Sequence, residues 1–135
     1  MTREPEILIS VRAPILDARG AIQNLIDAPF GSAAVISSVK GAIRANHYHA
    51  TDYHYCWLQR GRLRYYQRPV GSDAPPACRI IEAGELYYTP PRYEHAMLFL
   101  EDSVFFVFSK HSRDMAHYEA DTVRIPSIVP AADSP

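Results

Sequence analysis

The sequence has few cysteines and no long apolar run. Its two cysteines, Cys56 and Cys78, do not form a Cys-x-x-Cys pair, so neither a disulfide framework nor a zinc knuckle is indicated. The longest apolar stretches, such as residues 104–108, fall far short of the ~20 residues that a membrane span needs. The N-terminus lacks the basic and then apolar segments of a signal peptide. We therefore expect a cytoplasmic protein with reduced thiols and no membrane partner.

The chain also lacks an excess of charge of either sign. Its 14 Lys and Arg residues against 15 Asp and Glu residues give a formal charge of −1. Because no net field would concentrate a phosphate backbone, nucleic acid is not an expected partner. At 135 residues, 47% of them hydrophobic, the composition is that of one compact domain that folds without a structural metal. A bound metal would therefore serve function.

Helical periodicity is missing before residue 110. Glycine and proline instead separate short segments rich in Tyr, Phe, Val and Ile, which are typical of β-strands. These segments are residues 33–39, 53–59, 63–67, 79–82, 96–100 and 104–108. Many short strands between turn signals predict an all-β sandwich or barrel. Residues 68–76 are predicted as an exposed hairpin loop, and residues 126–135, rich in Pro, Ala, Ser and Asp, as a flexible tail.

Four of the six histidines cluster in two short segments. Side chains alternate along a strand, so His47 and His49 project from one side and form a bidentate pair. A turn at residues 50–52 can return His54 to that face, and His95 begins an apolar strand that can supply a fourth nitrogen. We therefore predict one divalent transition metal on these four histidines. Zn, Ni, Fe, Mn and Cu are the candidates, since imidazole suits transition metals better than Mg or Ca.

Other interpretations of the histidines remain open from the sequence. Two histidines that alternate along a strand can simply line a polar interior, and His54 can stay uncoordinated and act as a base. The two remaining histidines, His111 and His117, lie among lysine, serine, arginine and acidic residues. We expect these two side chains to face solvent.

The histidine spacing resembles the first motif of the cupin family. That motif reads glycine, five residues, His-x-His, three or four residues, glutamate, six residues, glycine. In this chain Gly41, His47, His49 and Gly61 fall at those positions. The sequence departs from the family at one ligand, because His54 stands where cupins have glutamate.

A second segment resembles the second cupin motif, which reads glycine, five residues, Pro-x-Gly, two residues, histidine. Gly84, Pro90 and His95 match it, while Arg92 replaces the second glycine. The resemblance implies a single-domain cupin, which is a double-stranded β-helix or jelly-roll barrel, over residues 1–125. It implies less about function, because this barrel hosts many enzyme classes and plain binders.

A further resemblance concerns the cupins that act on nucleotide-linked deoxysugars, the epimerases and ketoisomerases. It rests on the segment Asp17-Ala18-Arg19-Gly20 and on the run from Arg44 to His49, in which Ala45 replaces the usual glycine. Many of those enzymes use histidine as an acid or base without metal. The resemblance implies that Arg44 is available for a phosphate or carboxylate. The alternative is a surface arginine on the outward face.

Strand alternation also predicts which residues around His54 face inward. Cys56 shares the parity of His54, so it either lines the pocket or is a small buried hydrophobic residue. Tyr55 and Trp57 have the opposite parity and would form an exposed apolar patch. We therefore predict a homodimer that forms through sheet packing.

Together these features predict a small metal-binding cupin that acts as an enzyme on a small polar or sugar-like metabolite. The reaction would be of the isomerase and epimerase type or of the dioxygenase type. Arg92, Tyr93 and Glu94, next to the second motif, are the candidate catalytic groups. The alternative is a non-catalytic metal- or ligand-binding cupin, which the lack of a second obvious acid/base pair favours.

Overall fold

The computed structural model of this protein describes residues 7–9 and 14–134. Its regular structure is almost entirely β. The strands are β1 (Leu8–Ile9), β2 (Ile15–Asp17), β3 (Gly20–Ile22), β4 (Ser32–Ser38), β5 (Ile43–His49), β6 (His54–Arg60), β7 (Arg62–Pro69), β8 (Ala77–Glu82), β9 (Leu86–Thr89), β10 (Tyr93–Phe99), β11 (Ser103–Ser109) and β12 (Thr122–Arg124). A short helix, α1 (Met115–Asp121), precedes β12, and a 3₁₀ turn (Ala131–Asp133) follows it. Among these described elements, no helix is long and apolar enough to cross a membrane.

Two five-stranded sheets form the body of the molecule, in the orders β1-β9-β6-β11-β4 and β12-β5-β10-β7-β8. Neighbouring strands in both sheets pair antiparallel. Inward residues of the two sheets meet in one apolar cluster, which includes Leu58, Leu63, Ile81, Phe99 and Phe105. This is the predicted all-β jelly-roll barrel. The hairpin of β2 and β3 pairs only with itself.

All six predicted segments lie in strands (β4, β6, β7, β8, β10 and β11), with ends that move by one to three residues. The short strands β1, β2, β3, β9 and β12 and the helix α1 were not predicted. Strand β6 shows the predicted alternation, because His54, Cys56 and Leu58 are buried and the residues between them are half-exposed. The loop at residues 70–76 connects β7 to β8 as a hairpin. The period of two in the hydrophobic pattern thus predicted both the strands and their inward faces.

The segment predicted as a flexible tail packs against the barrel in its described part. Ile128 and Val129 are buried against Tyr66, Ala96 and Leu98 on the outer side of the second sheet. Prolines and serines surround these two apolar residues, so the composition of the segment is that of a flexible chain. For this reason the sequence predicted a flexible tail for residues 126–135. The domain boundary at residue 125 remains a prediction.

In the part of the chain that the structure describes, three residues other than glycine adopt the left-handed backbone region. They are Ala45 (φ 72°), Asn46 (φ 55°) and Arg92 (φ 59°). Ala45 and Arg92 are the two positions where the sequence carries another residue in place of a motif glycine. Glycine adopts this region without steric cost, whereas a residue with a Cβ atom adopts it at a cost in free energy. The departures from the motifs therefore keep the backbone conformation that glycine would favour.

Candidate active site

A cavity of about 170 Å³ opens into the barrel between the two sheets. It is lined by inward residues of β4, β5, β6, β9, β10 and β11 and by two residues near α1. Its polar lining consists of Arg44, His47, His54, Thr89, His95 and Arg113, and its aromatic lining of Tyr87, Phe105 and Tyr118. Three of the four predicted metal ligands therefore face the same cavity.

Three histidines bring their nitrogens together beside this cavity. His47 and His49 project from β5, and His95 projects from β10, where it is paired with His47. The ring centroids of His47 lie 4.7 Å from His49 and 4.8 Å from His95. One ring nitrogen of each lies within 4.8 Å of one nitrogen of each other residue. A modest inward adjustment of these rings would hold one ion at the usual metal–nitrogen distance of ~2.0–2.1 Å.

His54 belongs to a second, overlapping group. Its ring centroid lies 4.5 Å from that of His49, but its Nε2 lies 3.2 Å from Oδ2 of Asp52. His49, Asp52 and His54 form a separate set of nitrogen and oxygen atoms within 4.8 Å of one another. The predicted ligands therefore divide into two triads that share His49. Asp52 is not among the ligands that the sequence predicts, although an acid two residues before a motif histidine is a usable signal.

Hydrogen bonds fix the tautomers of the two buried rings. The Thr122 hydroxyl donates to the carbonyl of Tyr118 at 2.6 Å, so its oxygen accepts from Nδ1 of His49, 3.3 Å away. Nδ1 of His95 donates to the carbonyl of Tyr93 at 3.0 Å. Each ring therefore keeps its lone pair on Nε2. Nε2 of His49 is buried and has no hydrogen-bond partner among the described residues.

Burial keeps the three clustered histidines neutral. It lowers the pKa of His47 to about 4 and that of His49 to about 3, and in both residues the charge of His54 acts in the same direction. Burial, followed by the charge of His47, also lowers the pKa of His95 well below its ordinary value. Since a metal binds only neutral imidazole, these rings need lose no proton near pH 7 to bind one.

Asp52 is a buried carboxylate that stays ionised. Burial by itself opposes its charge, but the hydrogen bond and charge of His54 and the backbone N–H of His111 hold the pKa of Asp52 below its ordinary value. Asp121, the last residue of α1, holds this turn by accepting the backbone N–H groups of Thr51 and Asp52. His54 thus has an anionic partner at Nε2.

Two arginines lie among the residues lining the cavity. Arg44 donates from Nε to Oγ of Ser38 at 2.6 Å and from Nη2 to the carbonyl of Ser37 at 2.9 Å. The guanidinium of Arg113 lies 4.7 Å from the ring centroid of Tyr118. Arg44 is both exposed and part of the cavity lining. The cavity therefore offers positive charge to an anionic ligand.

Cys56 meets both descriptions that the sequence left open. It is buried in the apolar cluster and it also lines the cavity. Burial raises the pKa of its thiol to about 12, so the thiolate that nucleophilic chemistry needs is not populated near pH 7. In the free protein Cys56 acts as a small apolar wall residue.

The candidate catalytic groups next to the second motif lie elsewhere. None of Arg92, Tyr93 and Glu94 is among the residues that line the cavity. Glu94 accepts from Nη2 of Arg68 at 2.7 Å, and the guanidinium of Arg92 lies 5.9 Å from the ring centroid of Tyr48. Arg92 is the residue in the left-handed turn of the motif, which directs its side chain to the surface. The structure places Tyr87 and Tyr118 at the cavity instead.

The remaining histidines differ from each other in exposure. His117 is exposed, as predicted, and contacts Asp114 at 2.5 Å. His111 is half-buried, which the sequence did not predict. Its Nε2 lies 2.9 Å from Oγ1 of Thr51, because residues 110–111 run beside the turn that follows β5.

Solved structures share this fold at low sequence identity. The QdtA 3,4-ketoisomerase from Thermoanaerobacterium thermosaccharolyticum, in complex with TDP, is 16% identical with a TM-score of 0.69, and the match covers 88% of this chain and 85% of that chain. ChmJ, a 3'-monoepimerase from Streptomyces bikiniensis, in complex with dTDP-quinovose, is 16% identical with a TM-score of 0.76, covering 93% and 75%. The chain therefore has the barrel fold of sugar-nucleotide epimerases and ketoisomerases.

A third neighbour is larger. The capsular polysaccharide assembling protein CapF from Staphylococcus aureus is 22% identical with a TM-score of 0.64, and the match covers 87% of this chain. The chain spans about a third of CapF, since it covers 35% of that protein. A scan against protein-family models finds no match, and neither does a search of the curated proteins.

Proposed function

We propose that this chain is an enzyme that moves a proton on a nucleotide-linked or similarly anionic sugar, in the class of the epimerases and ketoisomerases. We further propose that His47, His49 and His95 hold a divalent transition metal at the site. The observation that carries the metal proposal is the buried Nε2 of His49, which has no partner and lies among the nitrogens of the other two rings. A buried polar atom without a partner is costly unless a ligand satisfies it.

The residues present fit such an ion. The three rings are neutral, and two of them are fixed by hydrogen bonds with Nε2 unprotonated. A bound divalent ion would supply positive charge that polarises a carbonyl or enolate oxygen of the substrate. The hydrogen bonds from Nδ1 of His49 and of His95 would act as outer-shell contacts that orient the rings.

His54 is the residue we assign as the base. With Nε2 protonated toward Asp52, the neutral ring of His54 would carry its lone pair on Nδ1, which would accept a proton from the sugar carbon beside a carbonyl. The ionised Asp52 would stabilise the imidazolium that forms. The same Nδ1 would return the proton to the neighbouring carbon in an isomerisation. An epimerisation needs a proton donor on the opposite face of the sugar, for which Tyr87 and Tyr118 line the cavity.

The arginines support the anionic part of the substrate proposal. Arg44 and Arg113 line the cavity together with the histidines. A diphosphate bound near them would leave the sugar beside the three rings and His54. The neighbours with this fold that were solved with TDP and dTDP-quinovose add support for a nucleotide-linked sugar.

Two other functions share the same site. The pair of His54 and Asp52 favours a metal-free acid/base enzyme, because a base and its orienting carboxylate are present without any ion. A cupin that binds metal or ligand without catalysis, or one with dioxygenase activity, would use the same three histidines. The metal-free enzyme and the non-catalytic binder are outcomes of one experiment.

The experiment follows proton exchange in D₂O by NMR, with a dTDP-4-dehydro-6-deoxy sugar as substrate. We expect deuterium to enter at a carbon beside the carbonyl, and we expect the exchange to stop in His54→Gln and to fall after removal of metal with a chelator. The control is Asp114→Asn, which removes a carboxylate paired with exposed His117 on α1. Exchange that survives chelation would indicate the metal-free enzyme. Binding of dTDP without any exchange would indicate a binder.

A further inference from the structure

Strand β5 carries an irregularity directly before His47. Ala45 and Asn46 both adopt the left-handed region, with φ of 72° and 55°. The pairing of β5 with β10 shifts at this point, so that Asn46 has no partner between Ala45 and His47. These features define a β-bulge, which inserts one extra residue into a strand and redirects its side chains.

The bulge changes which residues share a face. Arg44 and His47 are three positions apart, and three steps along a regular strand would place them on opposite faces. Their partners on β10 are Met97 and His95, which are two positions apart and both line the cavity. The extra residue therefore turns Arg44 toward the same cavity as His47.

The C-terminal segment forms hydrogen bonds with the polar groups of Asn46, the extra residue of the bulge. The carbonyl of Asn46 accepts from the backbone N–H of Ile125 at 3.0 Å. The side-chain Oδ1 of Asn46 accepts from the backbone N–H of Ile128 at 3.1 Å. Strand β12, immediately before, pairs with β5 so that Arg124 lies opposite His47. The backbone carbonyl and the side-chain Oδ1 of Asn46 are thus both paired with backbone N–H groups of the C-terminal segment.

The same segment is anchored to the barrel beyond the bulge. Ile128 and Val129 are buried on the second sheet against Tyr66 and Leu98, and the Tyr66 hydroxyl donates to Asp133 at 2.7 Å. A left-handed pair without glycine persists only where the surroundings over-determine it. The anchored segment is that surrounding structure.

We propose that residues 125–133 position the site, and that Asn46 is the positioning residue through which they act. They hold the bulge in its left-handed form and so keep Arg44 and His47 on one cavity. Neither Asn46 nor the C-terminal segment lines the cavity, so their effect is indirect. The role of Arg44 toward a ligand rests on the proposed function, whereas the effect on the bulge does not.

The first test needs no ligand. The Nε–H of Arg44 donates to Oγ of Ser38 at 2.6 Å, so its NMR signal reports the orientation of Arg44. In Asn46→Ala we expect this signal to lose its protection from solvent exchange, and we expect faster exchange at the amide of Ile128. Asn46→Asp, which keeps the acceptor and tolerates the left-handed region, should restore both. Asn24→Ala, the same substitution at an exposed position outside both the bulge and the C-terminal segment, is the matched control and should leave the Arg44 signal unchanged.

The second test measures binding of dTDP by calorimetry. We expect Asn46→Ala and Arg44→Ala each to weaken binding by about 10-fold, with the double variant no weaker than Arg44→Ala, because coupled residues are not additive. If Asn46→Ala does not fold, Asn46→Gly serves in its place, since glycine keeps the left-handed backbone while lacking the acceptor. Glycine should give a smaller loss, in the same direction.

The outcomes separate the two proposals. An unchanged Arg44 signal in a variant whose Ile128 amide exchanges freely would overturn the positioning role. Additive losses of dTDP affinity would overturn it as well. A wild-type protein that does not bind dTDP would contradict the proposed substrate class, and the ligand-free NMR test would then still decide the role of Asn46.

Discussion

At the scale of single residues, His49 is the side chain on which both triads depend. It contributes to the group with His47 and His95 and to the group with Asp52 and His54. If a metal binds, we expect His49→Ala to lower the Zn²⁺ affinity by more than about 100-fold, since losses of outer-shell contacts alone cost 10–100-fold. His54→Gln should cost less, because His54 is engaged by Asp52. Competition with a chromophoric chelator measures both.

The control for this series is His117→Ala, which removes an exposed histidine outside the cavity. We expect the Zn²⁺ affinity of that variant to equal that of the wild type. Equal losses in His49→Ala and His54→Gln would instead support one four-histidine site, as the spacing of the motif predicts. Retention of full affinity in His49→Ala would remove the proposed metal centre.

The neutral histidines also make the metal-free protein sensitive to acid. The folded-state pKa values of His47 and His49, about 4 and about 3, lie below the unfolded value of ~6.5. The unfolded chain therefore binds more protons below pH ~6.5, so the free energy of unfolding is largest above that pH and falls as the pH drops toward 4. Urea midpoints of chelator-treated protein at pH 7.5 and 5 measure this loss.

A variant tests the cause of that acid sensitivity. His49→Gln removes one buried imidazole, so we expect a smaller difference between the two midpoints than in the wild type. His117→Ala should leave the difference unchanged, because that ring is exposed in the folded protein. A wild-type midpoint that does not move between pH 7.5 and 5 would contradict the burial of neutral rings.

At the scale of elements, the sequence predicts regular strands well and their irregularities poorly. The alternation in β6 and the facing of His47 and His49 follow from a period of two. The bulge at Ala45 and Asn46 does not follow from that period, because neither residue is a glycine. The contacts that hold the bulge come from about 80 positions away, at Ile125 and Ile128. The pairing of Asp52 with His54 likewise depends on a turn that Asp121 holds from another element.

The strain in the bulge yields a prediction at the same scale. An L-residue in the left-handed region costs roughly 1–2 kcal/mol, while glycine adds about 0.5–1 kcal/mol of unfolded-state entropy. We therefore expect Ala45→Gly to stabilise the protein by up to about 1 kcal/mol, as measured by urea unfolding. Ala33→Gly, at an exposed position of regular strand β4, should destabilise it by about 0.5–1 kcal/mol. Equal destabilisation by both substitutions would show that Ala45 is not strained.

At the scale of the whole molecule, two apolar surfaces lack cover within the described chain. The outer face of the first sheet presents half-exposed aromatic rings, with Tyr55 beside Tyr88 and Trp57 beside Phe106. The hairpin of β2 and β3 exposes 64% of Ile15, 73% of Leu16 and 62% of Ile22. A two-stranded hairpin is marginal in water unless it packs on something.

We predict that a second copy of the chain covers both surfaces. In a two-fold dimer each copy offers the same patches, so the hairpin of one copy can cover the aromatic face of the other and the reverse contact forms at the same time. The near-zero net charge opposes such association little. We therefore expect a homodimer at micromolar concentration, with a sedimentation coefficient that falls to the monomer value in Trp57→Lys and in Leu16→Glu. Val123→Glu, a charge placed at an exposed residue of β12 in the second sheet, should leave the dimer intact. A wild-type monomer at these concentrations would show that the two apolar surfaces do not bind a second copy.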